Sequence, residues 1–509
     1  MSLKRRLQNW ESMSQTIFDV AIIGGGINGA CLYNHLSRDG YRVLLLDKGD
    51  FAGATSQASA MMIWGGLLYL RNWDMATVWQ LCASRERLIR KLRDCVQVRL
   101  FRYVPALDGP RGTAFSHAAL HFYWLLGGCQ RVRPRREKQF SEKCLLNTGR
   151  FTDALLYEEA QVLPSDARFV LHWICSGLDG PSMALNYCAL SGGNYERHRG
   201  LWRLELTDTL RQHPGIALAR WVVNASGVWS DALNQQFNIQ SPYKHIFSQG
   251  VFIGLKRDDR HDLPLIFDAG DDGDCRSLIP WGPVALWGPT ETVIKQPEHG
   301  FTVRPENVSM LLEELNQRLA MPATPEDIVS LRCGVRAVAV AESSPHAQTT
   351  QHLSRRYRIH RHVTLPWISL YGSNLSNCIF LAEAVRKIMR RHLVPSSKAE
   401  TSVAEVPMPE YERFPGLAEP VPSARWCAEH EMCWTLDDYL RRRTNISQWV
   451  PRCGLGPNDD NVDQILRLAR IFHDEELTVA QAVKAYRQKV NREFDSILNH
   501  QVFGGKDSR

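Results

Sequence analysis

Residues 18–47 constrain the fold more than any other stretch of the chain. Phe18–Ile23 is a short apolar run that ends directly in Gly24-Gly25-Gly26-Ile27-Asn28-Gly29. The pattern then predicts a helix over Ile27–Ser37 and a second buried strand over Tyr41–Leu46, closed by Asp47 and Lys48. Strand, glycine turn, helix and strand make a β-α-β unit. In such a unit Gly24 permits the tight turn, Gly26 lets the backbone approach a pyrophosphate, and Gly29 lets helix and strand pack closely. Ile27 and Asn28 open the helix, whose first N–H groups and positive dipole end face a diphosphate. An acid about 20 residues on meets the ribose hydroxyls. Asp47, 18 residues beyond Gly29, fills that place. The fingerprint predicts dinucleotide binding and, by itself, leaves FAD and NAD open. The following segment, Phe51–Ser59, is small and hydroxyl-rich. It suits a loop lying against a flavin diphosphate, with Thr55, Ser56 and Ser59 as donors; an ordinary Ser/Ala loop is the alternative.

At 509 residues the chain has room for two to four domains of roughly 100–200 residues. Apolar residues make up 44% and charged residues 23%, which argues against disorder. A net charge of +7 is too diffuse to indicate nucleic acid. The 13 cysteines include no Cys-x-x-Cys pair, so reduced thiols and a cytoplasmic location are expected. No His, Cys, Asp or Glu cluster has metal-ligand spacing, and no G-x-S-x-G elbow supports a hydrolase. Lys4, Arg5 and Arg6 are followed by polar residues rather than a signal-peptide core, and no apolar run is long enough to span a membrane.

Further along, Leu67–Leu92, Asp166–Ile174, Met183–Leu190 and Pro305–Leu319 have helical character, and 103–140 is basic and irregular. Strands are expected at Leu201–Thr207, Ala219–Asn224, Val251–Leu255, Val284–Trp287 and Trp367–Tyr371. This predicts an α/β chain. Residues 1–17 form an N-terminal tail, whose 9–17 stretch is read as disordered, with a surface-lying amphipathic turn as the alternative. Residues 18–395 interleave a Rossmann-like dinucleotide-binding domain (about 18–100, 150–240 and 330–395) with a sheet-based substrate domain (about 100–150 and 240–330). A Pro- and Ser-rich linker covers 396–424, and a helical C-terminal domain covers 425–509, with helices at Asp437–Arg443, Val462–Asp474 and Val479–Leu498.

The runs FDVAIIGGGINGA and LLLDKGDFAGATSQASAMMIWGGLLYL resemble the FAD-dependent, respiratory glycerol-3-phosphate dehydrogenases. More loosely they resemble the glycine oxidase and D-amino-acid oxidase superfamily. Later blocks agree in order: MALNYCAL, WVVNASGVWSD, SLRCGVRAV, WISLYGSNLS and CWTLDDYLRRRT. The resemblance implies FAD as cofactor, a small-molecule alcohol giving hydride to flavin N5, and electrons passed to a quinone at the inner face of a membrane. It implies flavin contacts from Asn224, Ala225 and Gly227, and from the turn that carries Gly372, Asn374 and Leu375. It also implies that Arg336 and Tyr69 reach the substrate. The basic stretch 131–138 is a candidate for peripheral contact with acidic headgroups, or else a solvated loop.

Departures from the family bear on substrate. Met61, Trp64 and Leu68 stand where the family has Lys, His and Arg; Asn374 and Ile379 stand for a Lys and an Arg. Ser248-Gln249-Gly250 replaces a Gly-Ser-His. Phosphate is usually met by Arg or Lys donors, each charge-assisted bond contributing about 1.5–3 kcal/mol. A changed substrate is therefore expected, unless Arg332, Lys244 or Lys295 compensates. No general base stands out: His245, Glu291 and His346 are the nearest titratable groups, and each is read as a surface residue. An orthodox glycerol-3-phosphate dehydrogenase, an amine or amino-acid oxidase acting on a C–N bond, and a non-catalytic flavoprotein are the alternatives. LDDYLRRRT favours the dehydrogenase over the C–N oxidase.

Overall fold

Ile17–Ile23 (β1) is apolar on both faces, so it needs cover on both sides and neighbours along both edges. In the computed structural model it pairs in parallel with His213–Asn224 on one edge and with Val43–Leu46 (β2) on the other. Trp367–Tyr371 continues the parallel set beyond His213–Asn224, and Met183–Leu185 continues it beyond β2. The structure describes residues 3–105, 113–138, 140, 146–147, 151, 153–178, 180–268, 275–297, 301–344, 356–397, 407–473 and 475–499. Among these, the hairpin Cys188–Glu196/Leu201–Asp208 and the antiparallel strand Arg358–Arg361 complete an eight-stranded sheet. The helix Ile27–Arg38 (α2) and the helices Asp166–Cys175 and Cys378–His392 pack on it, and their apolar faces merge into one core.

The register decides where ligands can go. Ile23 lies beside Asn224, and Asn224 beside Ser369. Three parallel strands therefore end level with one another, and the turns that follow them emerge at one edge. In open α/β sheets that carboxyl edge is where nucleotides bind.

A second sheet, ten-stranded among the described residues, is mostly antiparallel and centres on the pair Tyr243–Lys256/Ile328–Ala341. A second core joins this sheet to the C-terminal helices Val462–Phe472 and Glu476–Val490. The overall architecture is thus α/β, with a Rossmann-like layer, a sheet-based layer and a helical C-terminal region.

Several expectations change. The 9–17 stretch is not disordered: Leu3–Met13 (α1) is a helix that buries Arg6, Trp10 and Met13, spaced to share one face, and the strand β1 begins at Ile17. Arg6 donates to the Asn186 carbonyl at 2.7 Å and pairs with Asp208 at 3.1 Å, while Trp10 covers Gly215. Met183–Leu190 is not helical. It forms strands Met183–Leu185 and Cys188–Glu196, parted by Tyr187 at a left-handed φ of 53°. A short apolar run has no periodicity that separates strand from helix. Leu67–Leu92 divides into a 3₁₀ turn, Leu67–Asn72, and a helix, Met75–Lys91, whose N-terminus Asp74 caps by accepting from the Thr77 N–H. The irregular 103–140 stretch contains a helix, Thr113–Leu126, and a strand, Arg135–Lys138. Within 396–424 the pair Tyr411–Glu412/Val421–Pro422 is structured, and 398–406 lies outside the described residues. Among the described cysteines none forms a disulfide.

Candidate functional site

The glycine turn at the end of β1 is packed so tightly that side chains have no room. A Cβ on Gly24, whose φ is +114°, would lie 2.5 Å from the Ala225 carbonyl oxygen; one on Gly29 would overlap the Gly24 carbonyl oxygen. The first clash shows that the turn 24–29 and the turn after His213–Asn224 are in contact, as their shared edge requires. At Gly26 a Cβ would meet Ser56 Oγ at 3.1 Å. Ser56 Oγ also accepts the Ile27 N–H at 3.0 Å, so this hydroxyl stands at the mouth of α2 where a diphosphate would sit.

Asp47 closes the other side. Its Oδ2 accepts the Gly25 N–H at 2.7 Å and its Oδ1 the Gly49 N–H at 2.9 Å. Burial pushes its carboxyl up to about 6, against the pull of those two N–H bonds. Each oxygen keeps a lone pair for a ribose hydroxyl. Lys48 lies over the Trp229 ring at 3.7 Å from its centroid.

Asn28 ties in the third turn. Its Nδ2 donates to the Gly372 carbonyl at 3.2 Å, and its Oδ1 is buried with no hydrogen-bond partner among the described residues. Gly227 has a φ of +61° and nothing within 4 Å of where a Cβ would be, which leaves open space over that turn. A glycine cradle, an orphaned amide oxygen and an open turn fit an extended dinucleotide.

Other predicted site residues have side chains committed to the protein. Asn224 organises its own turn: its Oδ1 accepts from Ser226, and its Nδ2 donates to the Ser230 carbonyl and to Asn234. Asn374 is exposed and caps its own turn by accepting the Asn377 N–H at 3.0 Å, and Leu375 is buried beside it. Ser59 donates to Asp166, and Thr55 donates to the Val335 carbonyl at 2.6 Å. The Thr55 bond docks the 53–59 loop onto the strand Ile328–Ala341, and the Ser59 bond ties it to the helix Asp166–Cys175. Ala58 reinforces them, lying where a Cβ on Gly334 would be 2.8 Å away.

On the substrate side, Arg336 lies on that same strand with its guanidinium over Gly250, where a Cβ would come 2.7 Å from Nη2. Gly250, with no side chain, gives Arg336 this space. Tyr69, half-buried, sits on the Leu67–Asn72 turn. Met61 is fully buried, Ile379 is core, and Trp64 is half-buried with an indole N–H that has no partner among the described residues. Arg332 is buried against Asp166 rather than displayed as a compensating cation. Lys244 is half-buried on Tyr243–Lys256 and Lys295 is exposed.

His245 is not a surface residue. It is buried, its Nδ1 is 3.2 Å from Asp231, and its Nε2 accepts the Gly372 N–H at 3.2 Å. With Nε2 accepting, the neutral tautomer carries its proton on Nδ1 and donates it to Asp231. His245 thus positions the Gly372 turn from the neighbouring sheet and has no nitrogen left for a substrate proton. Glu291 is half-buried, and His346 lies outside the described residues.

Two groups escaped the sequence reading. Behind Trp64–Gly66 a buried Glu159 accepts from Arg85 at 2.8 Å and from Tyr123; burial raises its carboxyl despite Arg85. Below the glycine cradle, buried Asp50 accepts from Arg442, Arg443 and Asn186. Both are acids whose partners lie tens to hundreds of residues away, so no local spacing announces them.

Comparison with known proteins agrees with this geometry. The family model described as DAO, FAD dependent oxidoreductase, matches residues 19–368. The aerobic glycerol-3-phosphate dehydrogenase of Escherichia coli strain K12 is 26% identical over 375 residues, which is 72% of each chain. The glycerol-3-phosphate dehydrogenase of Bacillus halodurans, solved with FAD, superposes with a TM-score of 0.73 at 18% identity, covering 97% of this chain and 98% of that one. The glycine oxidase of Geobacillus kaustophilus superposes with a TM-score of 0.53 at 16% identity, covering 76% of this chain and all of that one.

Proposed function

Because this chain belongs to the DAO family of FAD-dependent oxidoreductases, we propose that it is a dehydrogenase of a secondary alcohol whose substrate is not glycerol 3-phosphate. When bound, FAD supplies the acceptor for the two electrons and the hydrogen that leave the alcohol carbon. The chain's own groups hold the reactant: Arg336 anchors an anionic or hydroxyl group and Tyr69 bonds a substrate oxygen. Trp64 walls the pocket with an apolar face.

One observation carries the reading. Arg336 is kept, while the surrounding cationic positions of the resembled family are occupied by Met61, Trp64, Leu68, Asn374 and Ile379. Two or three lost charge-assisted bonds weaken a phosphomonoester by roughly a hundredfold to a millionfold. A monoanion such as a hydroxy acid loses far less, because one guanidinium suffices for it. The dehydrogenase reading, rather than oxidation of a C–N bond, is favoured by extent: the Bacillus halodurans fold covers 97% of the chain, the glycine oxidase fold 76%.

Anaerobic reduction of the flavin, followed by its absorbance, tests this with glycerol 3-phosphate beside unphosphorylated alcohols, hydroxy acids and amines. Bleaching by a hydroxy acid or neutral alcohol, with glycerol 3-phosphate at least a hundredfold less effective, is the expected result. Rapid bleaching by glycerol 3-phosphate at low concentration overturns the changed substrate. Bleaching by amines alone overturns the dehydrogenase.

The electron acceptor is proposed to be a quinone, reached by peripheral contact with an anionic membrane. Thr113–Leu126 exposes Phe115 (59%), Phe122 (38%) and Leu125 (57%) at helical spacing. Trp73 and Trp79 are exposed on neighbouring elements, and Arg133, Arg135 and Arg136 follow in the chain. Apolar side chains beside several arginines suit a helix lying in the headgroup layer, each cation adding about 1 kcal/mol near an anionic surface. Among the described residues no helix is long and apolar enough to cross a membrane. The protein is expected to float with anionic liposomes at low salt, and a Phe115→Ser/Phe122→Ser/Leu125→Ser variant to stay in solution. Equal flotation of the two, or none by the parent, removes this helix from the membrane contact.

A further inference from the structure

The 53–59 loop, the strand Ile328–Ala341 and the C-terminal helical region enclose a cavity of about 270 Å³. Its polar lining is not satisfied from within. Arg332 is 2% exposed, and Ser447 and Gln448 are 4% each. Arg332 Nε and Nη1, Arg441 Nη1, Ser447 Oγ and Gln448 Oε1 are all buried with no hydrogen-bond partner among the described residues. Buried polar atoms are nearly always paired, so five orphans around one space mark a place for something else.

The charges say what. Arg332 and Arg441 both donate to a single acceptor, the Gln57 carbonyl, at 2.9 and 2.5 Å. Two guanidiniums therefore meet at one oxygen. Arg332 has Asp166 at 2.8 Å and lies over Trp281. Arg441 has no carboxylate partner among the described residues. The other cations of the lining are already matched: Arg442 by Asp50, Asp437 and Asp438, and Lys489 by Asp437 and Glu493. Burial first, and then the Arg332 charge, pulls the Arg441 guanidinium down to about 9. A half-buried guanidinium with its Nη1 buried beside a like charge is stabilised by an added anion.

We propose that this cavity binds a small oxyanion, either inorganic phosphate or the phosphoryl group of a small metabolite, held between Arg332 and Arg441. The donors suit it, since guanidinium and hydroxyl groups converge on tetrahedral oxygens as they do in phosphate sites generally. The volume corresponds to about nine waters, enough for a phosphoryl group with a few carbons and below the size of ordinary nucleotide pockets. The site is distinct from the flavin cradle. Gly24–Gly29 and Ser56 do not line the cavity, and within one turn Ser56 serves the α2 N-terminus while the Gln57 carbonyl serves the two arginines. A bound oxyanion would clamp the C-terminal region to the loop that flanks the cofactor.

Calorimetric titration of the flavin-loaded protein with inorganic phosphate tests this. One phosphate is expected to bind per chain with the flavin absorbance unchanged. Arg441→Gln is expected to weaken it about tenfold or more and Arg441→Lys to restore part of the loss. A phosphomonoester that does not bleach the flavin, titrated alongside, separates the two sources: tighter binding than inorganic phosphate assigns a metabolite, and weaker binding assigns free phosphate. No phosphate binding by the parent protein means that water fills the cavity, and the proposal fails. It fails equally if phosphate expels the flavin, which would make the cavity part of the cofactor site, or if both Arg441 variants bind phosphate as the parent does.

Discussion

Gly29→Val is expected to yield a folded protein that purifies without flavin. A Cβ at Gly29 would overlap the carbonyl oxygen of Gly24. That oxygen belongs to the turn which the Ala225 backbone holds from the other side, so it has nowhere to go. The relief left is to slide α2 away from β1. Its first N–H groups and Asn28 then move off the diphosphate position. Losing two charge-assisted bonds at about 1.5–3 kcal/mol each lowers FAD affinity by at least a hundredfold. The measurement is the flavin-to-protein absorbance ratio after gel filtration, with circular dichroism as the check on folding. Gly26→Ala is the graded control, because its Cβ meets only the hydroxyl of Ser56 at 3.1 Å, and that side chain can rotate. Full flavin content in Gly29→Val would mean that the cradle is not where the cofactor is gripped.

Asp50→Ala is expected to loosen the C-terminal region from the rest of the chain. Asp50 is 4% exposed and receives Arg442 Nε at 2.5 Å and Arg443 at 2.5 and 2.9 Å. Burial alone would raise its carboxyl, yet Arg443 and Arg442 together hold it below the usual range. Removing the acid leaves Arg443, fully buried, with only the carbonyls of Glu431 and Met432. Breaking a buried pair in this way costs about 3–5 kcal/mol, because the stranded charge remains. The result should be a new early step in thermal unfolding and faster proteolysis near 407–435. Asp50→Asn, which keeps an acceptor oxygen, should lie between. An unchanged melting profile for Asp50→Ala would show that the helical region is held by its apolar core alone.

What the sequence disclosed, and what it hid, follows from distance along the chain. The Gly24–Asp47 unit was legible because every part of it lies within one β-α-β turn, and each glycine answers a local steric need. The site's second and third turns, at Ala225 and Gly372, were legible only through family likeness, since nothing local says that His213–Asn224 and Trp367–Tyr371 flank β1. The role of His245 was misread because its partners, Asp231 and Gly372, lie 14 and 127 residues away. The α1 helix was missed for the same reason: its 6-10-13 face is short, and the Asp208 that receives Arg6 is some 200 residues downstream. Tyr187 turned an expected helix into two strands by a single backbone angle that no side-chain pattern encodes. Arg332 reads from the sequence as a cation that could compensate at the substrate, yet Asp166 and Trp281 hold it inside.

The cofactor cradle comes from the parallel sheet, whereas Arg336 and Gly250 come from the antiparallel one, and the two meet at the 53–59 loop and where His245 accepts the Gly372 N–H. Grip and choice are thereby written in separate parts of the chain. On the proposed reading, exchanges such as those at Trp64 and Gly250 would alter what is admitted while the packing around Gly24 and Gly29 goes undisturbed. On that reading, a lineage carrying this fold could change its substrate one residue at a time without passing through a form that has lost its flavin.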